Sequence, residues 1–284
     1  AFVGLLGRGS QLTPTEMGAF NDFVLPLVYP PNPNQHLNRT FPDAPAGQPS
    51  AKRGDVFFRT TPVDGGQPCL FCHTTPPGTN GVVFPDEVLL EDQDIKVPQL
   101  RNMYKKTRFS QAPGAVNARG FGFVHDGGID NLFNFLQAPV FNFAAGAAGN
   151  NQRRDVEAFL HAFDTGMPPS VGYQITFDGS NNGNPTTLAR LDTLKGQASA
   201  MNCDLIAKGR VASEPRGWWY LGSDRWRSDR TSEVDVTTAQ LLALGTAAKA
   251  LTVSGVPAGT GERMAVDRDS DTWYDADERD SGSD

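Results

Sequence analysis

Residues 67–78 read QPCLFCHTTPPG. Cys69 and Cys72 flank two residues, and His73 follows at once. Cys-x-x-Cys-His is the spacing through which c-type haem is attached. Both sulfurs and one imidazole must reach a single rigid macrocycle from one turn of chain. The thioethers fix the porphyrin vinyl groups, and His73 turns under the iron as proximal ligand. Two other chemistries share the cysteine spacing. A zinc site needs more ligands, and only Cys203 and three further histidines remain. A thioredoxin-like dithiol expects a βαβ setting, whereas here a short helical pattern precedes and a Pro/Gly loop follows. One covalent haem c is the expected cofactor.

A second axial ligand is expected from the loop between a middle helix and the last helix of the haem domain, about residues 107–150. That window holds no Met and one histidine, His125, in GFGFVHDGG. His125 is the candidate distal iron ligand; the plainer reading is a loop histidine bonded to Asp126 or to a propionate. Met167, in DTGMPPS, and His36, in a Pro-rich stretch, are further candidates. Met103 reads as a packed residue and His161 as a packed or surface one. Methionine ligation raises a haem potential relative to two histidines. An iron with no sixth ligand could instead bind peroxide or oxygen.

A second constellation closes the chain. In DRDSDTWYDADE, Asp267, Asp269 and Asp271 take positions 1, 3 and 5 of a calcium loop. Trp273 offers its carbonyl at 7, Asp275 sits at 9 and Glu278 at 12. The sixth position should be Gly for the sharp turn, and Thr272 stands there. Ca²⁺ is the expected ion; the alternative is a disordered acidic tail.

Several elements must position these groups. LTPTEMGAFNDFVLPLV (12–28) has helical spacing, and a proline-rich connector follows. Residues 50–60 form a short helix leading into the Cys motif. Residues 97–106, 127–137 and 150–166 also read as helices. After Pro168 the texture changes. Residues 172–177, 203–211, 216–222 and 250–256 read as strands, and 187–201 and 237–249 as helices. The domains expected are a helix and connector over 1–45, a haem domain over 46–168, a small α+β domain over 169–262 and a calcium-binding tail over 263–284. The fold class expected is therefore a mainly α, cytochrome c-like haem domain with long loops, then the small α+β domain and the acidic tail.

Composition bounds the partners. The net charge is −7. Residues 262–284 carry nine acidic and three basic side chains, so the body is nearly neutral. No basic patch suits nucleic acid, and no run of 18 apolar residues spans a membrane. The first residues, AFVGLLGRGS, have neither an initiator Met nor a signal pattern. A processed chain, or the ordered part of a longer one, is expected. Cys203 reads as a small buried residue, with a bond to another chain as the alternative.

The segments CLFCH, VPQLRNMY, FVHDGGIDNLFNFL and DVEAFLHAFDTG together resemble the C-terminal, electron-transferring haem domain of the di-haem cytochrome c peroxidase family. LPLVYPPNPN resembles bacterial cytochromes in which such a domain follows a β-propeller. The resemblance covers roughly residues 12–170. It implies that Arg101 pairs with a haem propionate. This chain departs from the family in having one haem motif where its peroxidases have two, and no Met in LFNFLQAPVFNF. The resemblance thus implies electron transfer more than peroxidase chemistry.

The expected function is a mono-haem electron carrier outside the cytoplasm: periplasmic, outer-surface or secreted. Its partners would be redox proteins or neighbouring haem subunits, in an oligomer or larger assembly. The alternatives are a peroxidase-like or oxygen-activating enzyme and a structural subunit of an extracellular cytochrome polymer.

Overall fold

Capping residues mark where helices begin. In the computed structural model, which describes residues 2–89, 92–106, 122–124 and 126–282, α1 spans Pro14–Val24. The Thr13 hydroxyl accepts from the Glu16 amide, and the Glu16 carboxylate accepts from the Thr13 amide. α2 (Ala51–Thr60) starts at Ser50, whose hydroxyl accepts from the Arg53 amide. A small hairpin, β1 (Pro62–Asp64) and β2 (Gln67–Pro68), then delivers the chain into a 3-10 turn over Cys69–Phe71. β3 (Val83–Phe84) pairs antiparallel with β4 (Ile95–Lys96), with α3 (Asp86–Leu89) between them. α4 (Met103–Lys106) and α5 (Leu132–Phe135) are single turns, and α6 (Gly146–His161) is the long helix of this half.

α2 crosses α6 at Gly54, where a β-carbon would run into the Asp155 carbonyl and the Phe159 side chain. Phe58 and Phe159 fill the crossing with ring centroids 5.1 Å apart. Leu100, Met103, Phe123, Leu132 and Phe163 complete this core, and Cys69 and Leu70 pack against it.

The second half contains β5 (Gln174–Phe177), α7 (Pro185–Ser199), β6 (Asp204–Val211), β7 (Glu214–Gly222), β8 (Arg225–Ser228), α8 (Thr238–Leu242) and β9 (Leu251–Val256). The strands form one antiparallel sheet in the order β5-β9-β6-β7-β8. One face buries Phe177, Leu205, Trp218, Trp226 and Val253 with Leu191 and Leu194 of α7 and Leu241 of α8. On the other, α9 (Gly261–Ala265) sets Ala265 and Val266 against Ile206, Val256 and Trp219, and α10 (Asp275–Ser281) follows. Arg39 links the halves: it pairs with Asp164 at 2.8 Å and reaches Asn202 at 3.4 Å.

These proportions overturn the mainly α, cytochrome c-like fold. Helix makes up 31% and strand 18% of the chain, with a five-stranded antiparallel sheet. The reason is local. The helical patterns at 97–106 and 127–137 each shrink to four residues. Asn102 adopts a left-handed φ of 83°, so no helix starts before Met103. A bridge between Phe123 and Ile129 keeps the second stretch extended until the Asn131 side chain caps α5. The acidic C-terminal segment is a helix–loop–helix docked on the sheet, with Ala265, Val266 and Ala276 fully buried. Among the described residues no helix is long and apolar enough to cross a membrane.

Candidate functional site

The 3-10 turn does what attachment to one macrocycle requires. The amides of Cys72 and His73 both donate to the Cys69 carbonyl, so one turn carries both sulfurs and the imidazole. Both cysteines are free and partly buried. Burial pushes the Cys69 thiol up to about 11, and burial with nearby Asp64 raises Cys72 as well. A reactive redox dithiol needs the opposite shift.

His73 is oriented through its backbone-facing nitrogen. Its Nδ1 lies 2.9 Å from the Gly78 carbonyl and 3.2 Å from that of Pro98. A proton on Nδ1 donates there, which leaves the Nε2 lone pair for a metal. Burial lowers the imidazole pKa, while the two carbonyls and Asp64 pull it upward. The neutral ring is the ligating form. Gly78 has φ +74°, and a β-carbon there would sit 2.5 Å from the Leu100 amide nitrogen. Only glycine brings that carbonyl to the ring. The loop is closed by Thr74 Oγ1 on the Thr79 carbonyl (2.8 Å) and by the Asn80 amide on the Cys72 carbonyl (2.8 Å). Phe58, 6.4 Å from the His73 ring, ties the motif to the α2–α6 crossing.

Arg101 stacks over Tyr29 at 5.1 Å, and its Nε is buried with no hydrogen-bond acceptor among the described residues. Such a donor is costly to leave unpaired, and a propionate carboxylate is an acceptor that suits it. Lys106 is half-buried with its ammonium 4.9 Å above the Phe123 ring. The donor set therefore fits a c-type haem: two thiols, an imidazole with a free nitrogen, and an arginine whose buried Nε has no acceptor among the described residues.

His125 lies outside the described residues. Beside it, Phe123 is buried and its amide donates to the Ile129 carbonyl at 2.6 Å, while Asp126 accepts from the Gly128 amide at 2.7 Å. Met103 is packed in the same core as Phe123. His161 is buried, its Nδ1 has no partner among the described residues, and burial lowers its pKa to about 4. Met167 is half-buried and His36 exposed.

In the acidic loop, carboxylate oxygens of Asp267, Asp269 and Asp271 lie within 4.8 Å of one another. Asp267 also accepts from the amides of Ser270 and Thr272 (2.8 and 3.1 Å). Asp275 and Glu278 do not join that group. Asp275 is instead held by the Arg268 amide at 2.9 Å and its guanidinium at 3.0 Å. Glu278 is buried on α10, and Trp273 is exposed with its amide on Asp271.

Sequence reasoning missed Asp64, Pro98, Lys106 and Arg268. It also missed Gly78, although a glycine ending Thr-Thr-Pro-Pro-Gly signals a positive φ. No family model matches the chain, and no curated protein or solved structure matches it.

Proposed function

We propose that this chain is a mono-haem c-type cytochrome that carries electrons. Cys69 and Cys72 would hold the haem as thioethers, His73 Nε2 and His125 would be the axial ligands, and Arg101 would pair with a propionate. The observation that carries this reading is the His73 ring, whose Nδ1 is held on two carbonyls. When bound, haem supplies a one-electron couple.

The chain's residues tune that couple. Hydrogen bonds from Nδ1 to Gly78 and Pro98 raise the basicity of the ligating nitrogen. Phe58, Leu100, Met103 and Phe123 make the surroundings apolar. Two imidazoles favour a lower potential than histidine with methionine. A single haem motif favours a carrier over the peroxidase-like or oxygen-activating alternative, and the resemblance to an electron-transferring haem domain supports the same choice. Thioether attachment and a calcium loop both suit the periplasm, the outer surface or a secreted protein. The partners in this reading are redox proteins or neighbouring haem subunits.

The acidic loop in this proposal binds a structural Ca²⁺. Asp267, Asp269 and Asp271 form the cluster, and the Trp273 carbonyl, Asp275 and Glu278 complete the set, Asp275 exchanging Arg268 for the ion.

Near-infrared magnetic circular dichroism of the ferric protein tests the haem reading. A His/His charge-transfer band that is lost in His125→Ala is the expected result. A high-spin spectrum from the unmodified protein would reveal an open iron and shift the function to the enzyme alternative.

A further inference from the structure

Arg101 sits three residues after Pro98, whose carbonyl faces His73 Nδ1 at 3.2 Å. Three residues of chain span about 10 Å at most, so Arg101 stays close to the proximal ligand. Buried Leu100 and Met103 fix the backbone on either side of it. Its Nε is buried and unpaired, and no carboxylate pairs with it among the described residues. Asp164 lies close by: a β-carbon at Gly166 would stand 4.0 Å from Arg101 Nη1, and the Gly166 amide donates to Asp164 at 2.7 Å. Both Asp164 oxygens are held instead by the Arg39 guanidinium, at 2.9 and 2.8 Å. What Arg101 does touch is Tyr29, with its guanidinium carbon 5.1 Å from the ring centroid. Tyr29 is half-buried and lies outside the cores of both halves. The connector that carries it is pinned three residues later, where buried Asn32 donates to the carbonyls of His161 and Phe163 at 2.8 and 2.9 Å.

We propose that Tyr29 is a positioning residue of the haem site: its ring holds the Arg101 guanidinium by one face and leaves the N–H edge for a haem propionate. The inference rests on the haem reading above and adds the connector to that site. Geometry is the first argument. A cation–π contact engages the flat face of a guanidinium, whereas its five N–H donors point outward in the plane. An aspartate partner would instead occupy two of those donors. Tyr29 therefore orders the arginine without consuming the donors a carboxylate needs. Charge is the second. With Asp164 committed to Arg39, Arg101 brings an uncompensated positive charge to a propionate. Such a charge at the edge of a haem favours the ferrous state, which carries one positive charge fewer than the ferric.

Spectroelectrochemical titration of the haem-loaded chain tests it, with Tyr29→Leu, Tyr29→Phe, Arg101→Met and the double variant Tyr29→Leu/Arg101→Met. Tyr29→Leu and Arg101→Met should each lower the midpoint potential. Tyr29→Phe keeps the ring and should hold the potential of the unmodified chain. The double variant should match Arg101→Met, because a ring that acts only through Arg101 has nothing left to act on. Circular dichroism of Tyr29→Leu should be unchanged. A residue that merely anchored the connector would move the thermal midpoint and leave the potential alone. An unchanged potential in Tyr29→Leu, an equal fall in Tyr29→Phe, or additive falls in the double variant would each overturn the positioning role while leaving covalent haem in place. A chain that carries no haem on denaturing electrophoresis would overturn the haem reading itself, and this role with it.

Discussion

Among the described residues, seven buried side-chain N or O atoms lack a hydrogen-bond partner. Five, on Gln35, Gln99, Arg101, Asn102 and His161, belong to the motif-bearing half; the sheet half has Ser170 and Arg230. Compare Arg216 in the sheet half, whose side chain is 3% exposed. It donates to Asp229 at 2.6 Å, to both Glu233 oxygens at 3.0 and 2.7 Å, and to Ser228. The sheet half satisfies the buried Arg216 guanidinium from its own residues, though the Nε of Arg230 there is unpaired, as the Nε of Arg101 is in the motif-bearing half.

The two halves also differ in reporters. All four tryptophans, Trp218, Trp219, Trp226 and Trp273, lie in the sheet half. Intrinsic fluorescence therefore follows that half, and haem absorbance would follow the other. The largest expected effect comes from Cys69→Ala/Cys72→Ala. No haem should remain on the chain after denaturing electrophoresis. Melting of the motif half, followed by exchange of its α6 amides, should fall by more than about 10 °C, because whatever binds only the folded state stabilises it. The tryptophan midpoint should hold. If both midpoints fall together, the halves are one cooperative unit and the contrast fails.

Arg216→Met is the reciprocal test. It leaves Asp229, whose side chain is also 3% exposed, with Arg279 at 3.1 Å and the Gly217 amide at 3.0 Å as its remaining partners. Breaking a buried pair outright costs about 3–5 kcal/mol; with those partners kept the loss should be smaller, and it should appear in the fluorescence-detected transition alone.

Acid should separate the halves more gently. The folded pKa of His161 is near 4 against an ordinary 6.5, with burial as the cause. The unfolded chain then takes up this proton first. Stability from this group is complete above pH 6.5 and lost as pH falls toward 4, up to roughly 3 kcal/mol. His161→Gln should flatten that slope for the motif half. In the sheet half, the hydrogen bond from Arg216 holds Glu233 below its ordinary 4.5, so its contribution fades only under that pH. Equal slopes in protein and variant would show that His161 is not the group responsible.

Legibility followed how each interaction is written along the chain. β5, β6, β7 and β9 were readable because apolar alternation and turn residues are local signals. β8 was not: Arg225-Trp226-Arg227-Ser228 has one apolar residue, and its pairing, Trp218 with Ser228, depends on β7. The Cys-x-x-Cys-His motif was readable because its chemistry fixes spacing. The carbonyls that orient His73 sit five and twenty-five residues downstream, and a carbonyl leaves no mark on residue type. The three clustered aspartates were readable from position; that Arg268 would claim Asp275 was not, since any nearby base could have done so.

The smallest effect concerns the residue at which the acidic loop departs from a calcium pattern. Thr272 adopts φ +82° and Ser270 φ +66°. A left-handed conformation costs a non-glycine residue about 1–2 kcal/mol. Glycine at 272 removes that cost and keeps the amide that donates to Asp267 at 3.1 Å. It also adds freedom to the unfolded chain, which returns part of the gain. Thr272→Gly should therefore raise sheet-half stability by about 0.5–1 kcal/mol and leave the motif half alone. Trp273 is next in sequence and exposed, so its fluorescence can follow calcium in the same samples. A gain without calcium means the loop's shape is set by its packing on the sheet. A gain confined to calcium-loaded protein means the ion imposes the turn, and the sheet half would then need a partner to close.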